Sequence, residues 1–103
     1  MKDPLHDQQV AELIRKQLGT NPDIEQVIVK GDLLQLHVTE ALYHRLAVDR
    51  ERGRKIVLLL MHQMKVHTGL NDVTVRVYCH KEKMIEGKVK PWGGDNVTYL
   101  CDL

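Results

Sequence analysis

Apolar residues recur along this chain with two different periods, and each period predicts its own kind of element. Val10, Leu13, Ile14 and Leu18 share one face at helical spacing. Asp3 is a capping residue, Pro4 suits the first helical position and Asp7 complements the helix dipole. Gly19 offers a left-handed stop and Asn21-Pro22 prevents resumption, so a helix is expected over residues 4–18. Gly31-Asp32 then separates two segments that alternate with period two. With that pair at the tip, Val29 faces Leu34 and Val27 faces Leu36. Val38 joins their face, while Gln26, Gln35 and His37 fall on the other, where Ile28 is the apolar exception. Turn and alternation agree, which predicts a hairpin with one buried face and an accessible polar one.

Thr39 is placed to cap a second helical region that runs to about residue 67, before Gly69 stops it. The polar run Asp49-Arg50-Glu51-Arg52-Gly53-Arg54-Lys55 interrupts it with a helix-weakening glycine. Two forms stay open: one long helix that crosses the run exposed, or a short helix over 40–48 followed by a longer one over 54–67. Ile56, Val57, Leu58, Leu59, Leu60 and Met61 are apolar at consecutive positions. A helix in a two-layer domain buries one stripe, so something besides a sheet must cover the rest.

Asn71-Asp72 opens the clearest strand, in which Val73, Val75, Val77 and Cys79 alternate with Thr74, Arg76, Tyr78 and His80. Asn96 to Leu103 is strand-like too, with Val97, Tyr99, Cys101 and Leu103 on one side. Lys81 to Asp95, which carries Pro91-Trp92-Gly93-Gly94, reads as a loop or irregular hairpin. The order α-β-β-α-β-β predicts an α+β two-layer sandwich. Its four-stranded, mainly antiparallel sheet would carry the helices on one face.

At 103 residues the chain provides for one domain around one core. Phe is absent and aromatics reach only 4%, so Leu, Val, Ile and Met must build that core. The segment Met1 to Asp7 is too polar and acidic for a secretory leader. The longest apolar run is far below the roughly 20 residues of a membrane span. A cytoplasmic protein with no membrane partner is the expectation. Cys79 and Cys101 are expected as reduced thiols, with a bridge between them as the alternative if the last strands are neighbours.

The usual signatures of nucleotide binding and hydrolysis, G-x-G-x-x-G, a Walker loop, G-x-S-x-G and H-E-x-x-H, do not occur. His62 and His67 are five apart, about 140° around a helix and badly placed to share an ion. Cys79 and His80 point to opposite faces of a strand. Burial of Cys79 would raise its pKa and disarm it as a nucleophile. No catalytic residue, metal ligand or cofactor is assigned, and the reading leans away from an enzyme.

Net charge is +1, but residues 1–40 sum to −3 and residues 41–103 to +4. Arg45, Arg50, Arg52, Arg54 and Lys55 cluster around Asp49 and Glu51. Lys81, Lys83, Lys88 and Lys90 flank Trp92, with Glu82 and Glu86 interleaved. Cations near an aromatic suit a phosphate backbone with a stacked base, although interleaved acids also suit a solvated surface. Trp92 fits either as a recognition aromatic or as a lid on the core.

Three functional readings come from these features. The first is a small non-enzymatic binding or assembly module that self-associates through Ile56, Leu59 and Leu60 or joins a larger complex. The second is a nucleic-acid-binding domain that uses the basic segments 45–55 and 81–90. The third is a small enzyme whose His and Cys residues are assembled by the fold.

Overall fold

In the computed structural model, which describes residues 4–19, 21–91 and 93–100, the first helix, α1, spans Pro4–Leu18 as its spacing predicts. The expected cap Asp3, and Trp92, Cys101 and Leu103, lie outside the described residues. β1 (Ile24–Lys30) and β2 (Leu33–Val38) form the expected hairpin, with Gly31 at φ 63° in its turn. Val29 pairs with Leu34 and Val27 with Leu36, the register that turn and alternation require together. Val29, Leu34, Leu36 and Val38 are buried. Val27, expected buried, is half-buried because β1 is the outermost strand. Gln35 and His37, expected accessible, are half-buried because β2 has a neighbour on each side; Gln26 on the edge strand is exposed.

The second helical region is two helices. α2 (Glu40–Val48) begins at Thr39, whose hydroxyl oxygen accepts from Leu42 N at 3.3 Å. A single residue, Asp49, separates α2 from α3 (Arg50–Thr68). Asp49 serves both. Its N–H donates to Arg45 O at 3.0 Å, and its carboxylate accepts from Arg52 N at 3.1 Å. Such a cap contributes about 1 kcal/mol, so the polar run starts a helix at residue 50 rather than 54. Gly69 ends α3 at φ 74°.

The sheet has one strand more than expected and is, as expected, mainly antiparallel. It has five strands, not four: β3 (Thr74–Cys79), β4 (Glu82–Val89) and β5 (Asp95–Tyr99) follow α3, so the segment 81–95, expected as a loop or irregular hairpin, holds a full strand, β4, and the turn into β5. It is also mixed, in the order β1-β2-β3-β4-β5. β2 and β3 are parallel, and the other three pairs are antiparallel. The two-helix crossover returns the chain to the starting end of the sheet, which makes the β2–β3 pair parallel.

One sheet face carries Val29, Leu34, Leu36, Val38, Val75, Val77 and Ile85, all buried, against α1 and α3. At Gly87 of β4, a Cβ would lie 2.6 Å from Val57 Cγ1 and 2.8 Å from Met61 Sδ of α3. The other face holds Gln35, His37, Arg76, Tyr78 and Glu86, all half-buried. The apolar run 56–61 is covered from several sides. Val57, Leu60 and Met61 are buried, Ile56 and Leu58 are half-buried, and Leu59 stays 51% exposed. Among the described residues, no helix is long and apolar enough to cross a membrane.

Candidate functional site

The turn from α2 into α3 is held by side-chain contacts from β5. Tyr99 of β5 places its hydroxyl 3.0 Å from Leu46 O and 3.1 Å from Arg50 O, donating to the carbonyls of both helices. Gly53 makes room for it, because a Cβ at this position would collide with the Tyr99 hydroxyl. The Arg50 guanidinium lies over the Tyr99 ring, 5.0 Å from its centroid. The β3–β4 turn reaches the same end of the sheet. There His80 Nε2 is 3.6 Å from Glu40 Oε2 in the first turn of α2.

Five cations crowd this corner: Arg45 in the last turn of α2, and Arg50, Arg52, Arg54 and Lys55 in the opening turns of α3. All are exposed, and among the described residues no carboxylate pairs with any of them. The positive end of the α3 dipole adds to their field. Beside them opens a cavity of about 190 Å³ between α1, α2, α3 and the sheet. Leu36, Leu42, Leu46, Ile56 and Leu59 give it apolar walls, and Arg45, Arg52 and Asn21 supply its polar lining. The arrangement can hold a small flat apolar group while the arginines take an adjoining anion.

The later lysines do not join this cluster as a group. Lys81 sits in the β3–β4 turn at φ 67°, after His80 at φ 52°. Lys83 and Lys88 belong to β4 and reach Glu86 at 3.3 and 3.6 Å, while Arg76 of β3 holds the same carboxylate at 2.9 Å. Burial opposes ionisation of Glu86, but the Arg76 hydrogen bond and the two lysines outweigh it and hold its carboxyl below the usual range. Lys90 lies past β4 at the opposite end of the sheet, where its N–H closes a turn onto Gly94 O at 2.8 Å. Trp92 falls outside the described residues.

On the outer sheet face His37 stacks on Tyr78, with centroids 5.1 Å apart and planes 13° from parallel. Alternation alone placed both residues on that side, but the β2–β3 pairing that joins them has no signal in the sequence. The cavity was equally hidden, because its walls come from five elements, α1, β1, β2, α2 and α3. Of the association candidates, Leu60 is buried, Ile56 lines the cavity and Leu59 is open. Cys79 is a buried free thiol whose pKa is pushed up by burial, with Glu40, Glu25 and Glu82 adding to the effect. That is the wrong direction for a nucleophile.

Fold and site together define a two-layer α+β domain with an arginine-rich helical corner beside a small apolar cavity. No family model, curated protein or solved structure matches the chain.

Proposed function

We propose that this protein binds single-stranded nucleic acid at the α2–α3 corner. The observation that carries the reading is the cavity of about 190 Å³, apolar in its walls and lined with Arg45 and Arg52, beside the unpaired cations of α3. A cavity this small is below the about 300 Å³ at which sites for drug-sized ligands begin, and it suits one ring. A base turned into it would leave the flanking phosphates facing Arg50, Arg52, Arg54 and Lys55. Guanidinium groups bind phosphate with paired hydrogen bonds, and a helix N-terminus favours the same charge. Bases inside a duplex are stacked and paired, so a site that takes a base singly prefers a single strand.

Fluorescence anisotropy with labelled oligonucleotides tests this. Single strands are expected to bind more tightly than a duplex of equal length, and binding should weaken steeply as salt rises. Equal binding of duplex and single strand, or no binding at low salt, would contradict the proposal.

A further inference from the structure

β1 is one edge of the sheet, and turn geometry fixes which groups it leaves open. The two-residue turn makes Lys30 and Leu33 a hydrogen-bonded pair, so Ile28 with Gln35 and Gln26 with His37 are hydrogen-bonded pairs too. The N–H and C=O groups of Val27 and Val29 therefore point away from β2. None of the four has a partner among the described residues. A cavity of about 410 Å³ marks the opening. It touches Val27, Ile28, Val29 and Lys30 in succession, and their side chains alternate between the two sheet faces, so it runs along the edge of the strand. Asp7, Gln8 and Ala11 of α1 line its other side. Edge strands are usually guarded by charge, proline or brevity. β5, the opposite edge, has five residues; β1 has seven, and its stretch Gln26 to Val29 holds neither a charge nor a proline.

We propose that β1 pairs antiparallel with β1 of a second copy, across a two-fold axis at Ile28. One symmetric register stays within β1, avoids the bulge between Ile24 and Gln26, and uses both open residues. Val27 then lies opposite Val29 of the second copy, and Val29 opposite its Val27, which satisfies the open groups of each chain through four main-chain hydrogen bonds. The same register matches the side chains. Ile28, the half-buried apolar residue on the polar sheet face, meets Ile28 of the second copy. Lys30 meets Gln26 of the second copy and, one position on, its Glu25, so opposite charges flank the axis on both sides. A peptide of other sequence could bond to the same main-chain groups. The isoleucine and charge matches come from this chain's own sequence, and they select a second copy. The contact is one strand long, about 24 Å at 3.4 Å per residue. It is smaller than the about 800 Å² per partner of a standard interface, so the dimer is reversible and forms with rising concentration.

This interface does not depend on the nucleic-acid reading, because residues 25–30 do not line the corner cavity. Sedimentation equilibrium from about 1 μM to about 1 mM gives the mass, and circular dichroism checks the fold. The wild-type mass should rise from one chain towards two. Lys30→Glu and Glu25→Lys should each raise the dimer dissociation constant about tenfold with an unchanged spectrum, because like charges then meet on both sides of the axis. An equimolar mixture of the two variants should associate as the wild type does, since each brings the charge that the other lacks. Leu13→Glu, at a position 45% exposed on α1, should also dimerise like the wild type. If either charge variant disturbs the fold, Ile28→Lys, which sets two ammonium groups face to face at the axis, decides the matter by losing the dimer. A wild type that stays monomeric throughout, a mixture that associates no better than its separate variants, or a dimer kept in Ile28→Lys would overturn the proposal.

Discussion

The α2–α3 corner and the outer face of the sheet both gather cations, but only at the corner do the cations lack a carboxylate partner among the described residues. On the sheet face, Arg76, Lys83 and Lys88 converge on Glu86, whose side chain is 14% exposed. All three are engaged by that one carboxylate, which offsets one of their three positive charges. At the corner, Asp49 is occupied as a helix cap and Arg50 lies on Tyr99, so Arg52, Arg54 and Lys55 have no acidic partner among the described residues. Two basic segments that look alike in the sequence thus differ in what they can offer a polyanion. The difference lies in where the nearest carboxylate sits after folding.

Leu36→Ala is expected to have the largest effect on stability. Leu36 is 2% exposed, sits in the core and walls the cavity, while its neighbours Gln35 and His37 face the opposite side. The loss should be about 2–5 kcal/mol in denaturant unfolding, with both regions affected. Gly53→Ala separates them. Its Cβ displaces the Tyr99 hydroxyl, which should cost about 1–3 kcal/mol despite the better helix propensity of alanine. Oligonucleotide binding should fall with it, and the Arg76–Glu86 cluster should survive.

Glu86→Gln acts on the other region. Losing its charged hydrogen bonds should cost about 1–2 kcal/mol and leave three cations unneutralised on the sheet face, where weak polyanion binding should appear at low salt. The pH dependence has a definite sign. Glu86 titrates below its unfolded value, so its contribution is complete above the ordinary carboxylate range and is lost as pH falls through the lowered value. Urea unfolding across that acid range should show this component in the wild type and not in Glu86→Gln. The smallest effect is expected at Lys81→Gly. It relieves a positive φ in the β3–β4 turn and should add about 0.5 kcal/mol without changing binding.

The hairpin of β1 and β2 was legible in the sequence because two independent signals, the turn at Gly31 and the alternation, demand one register. The start of α3 was not, because Gly53 argues against a helix when Tyr99 is unseen. β4 was missed for a related reason. On its buried face only Ile85 is fully buried with a large side chain, Val89 packs at the margin, and Gly87 between them must admit Val57 and Met61 of α3. A glycine placed for close packing then reads as a loop glycine. The parallel pairing of β2 with β3 leaves no mark on either strand's alternation, so the sheet looked shorter and simpler. At the candidate site the arginines of the corner were visible as a cluster. The cavity was not, because Leu18, Leu36, Leu42 and Ile56 meet only in the folded chain.

The contrast between the two regions is tested most directly by the salt dependence of single-strand binding in two sets of variants. Arg52→Gln, Arg54→Gln and Lys55→Gln are combined in one protein, and Lys83→Gln and Lys88→Gln in another. The corner variant should bind more weakly at low salt, with a log–log salt slope shallower by about 2, as for three lost phosphate contacts. The sheet-face variant should match the wild type in affinity and slope. Equal losses in both variants, or a loss confined to the sheet-face variant, would contradict the assignment of binding to the α2–α3 corner.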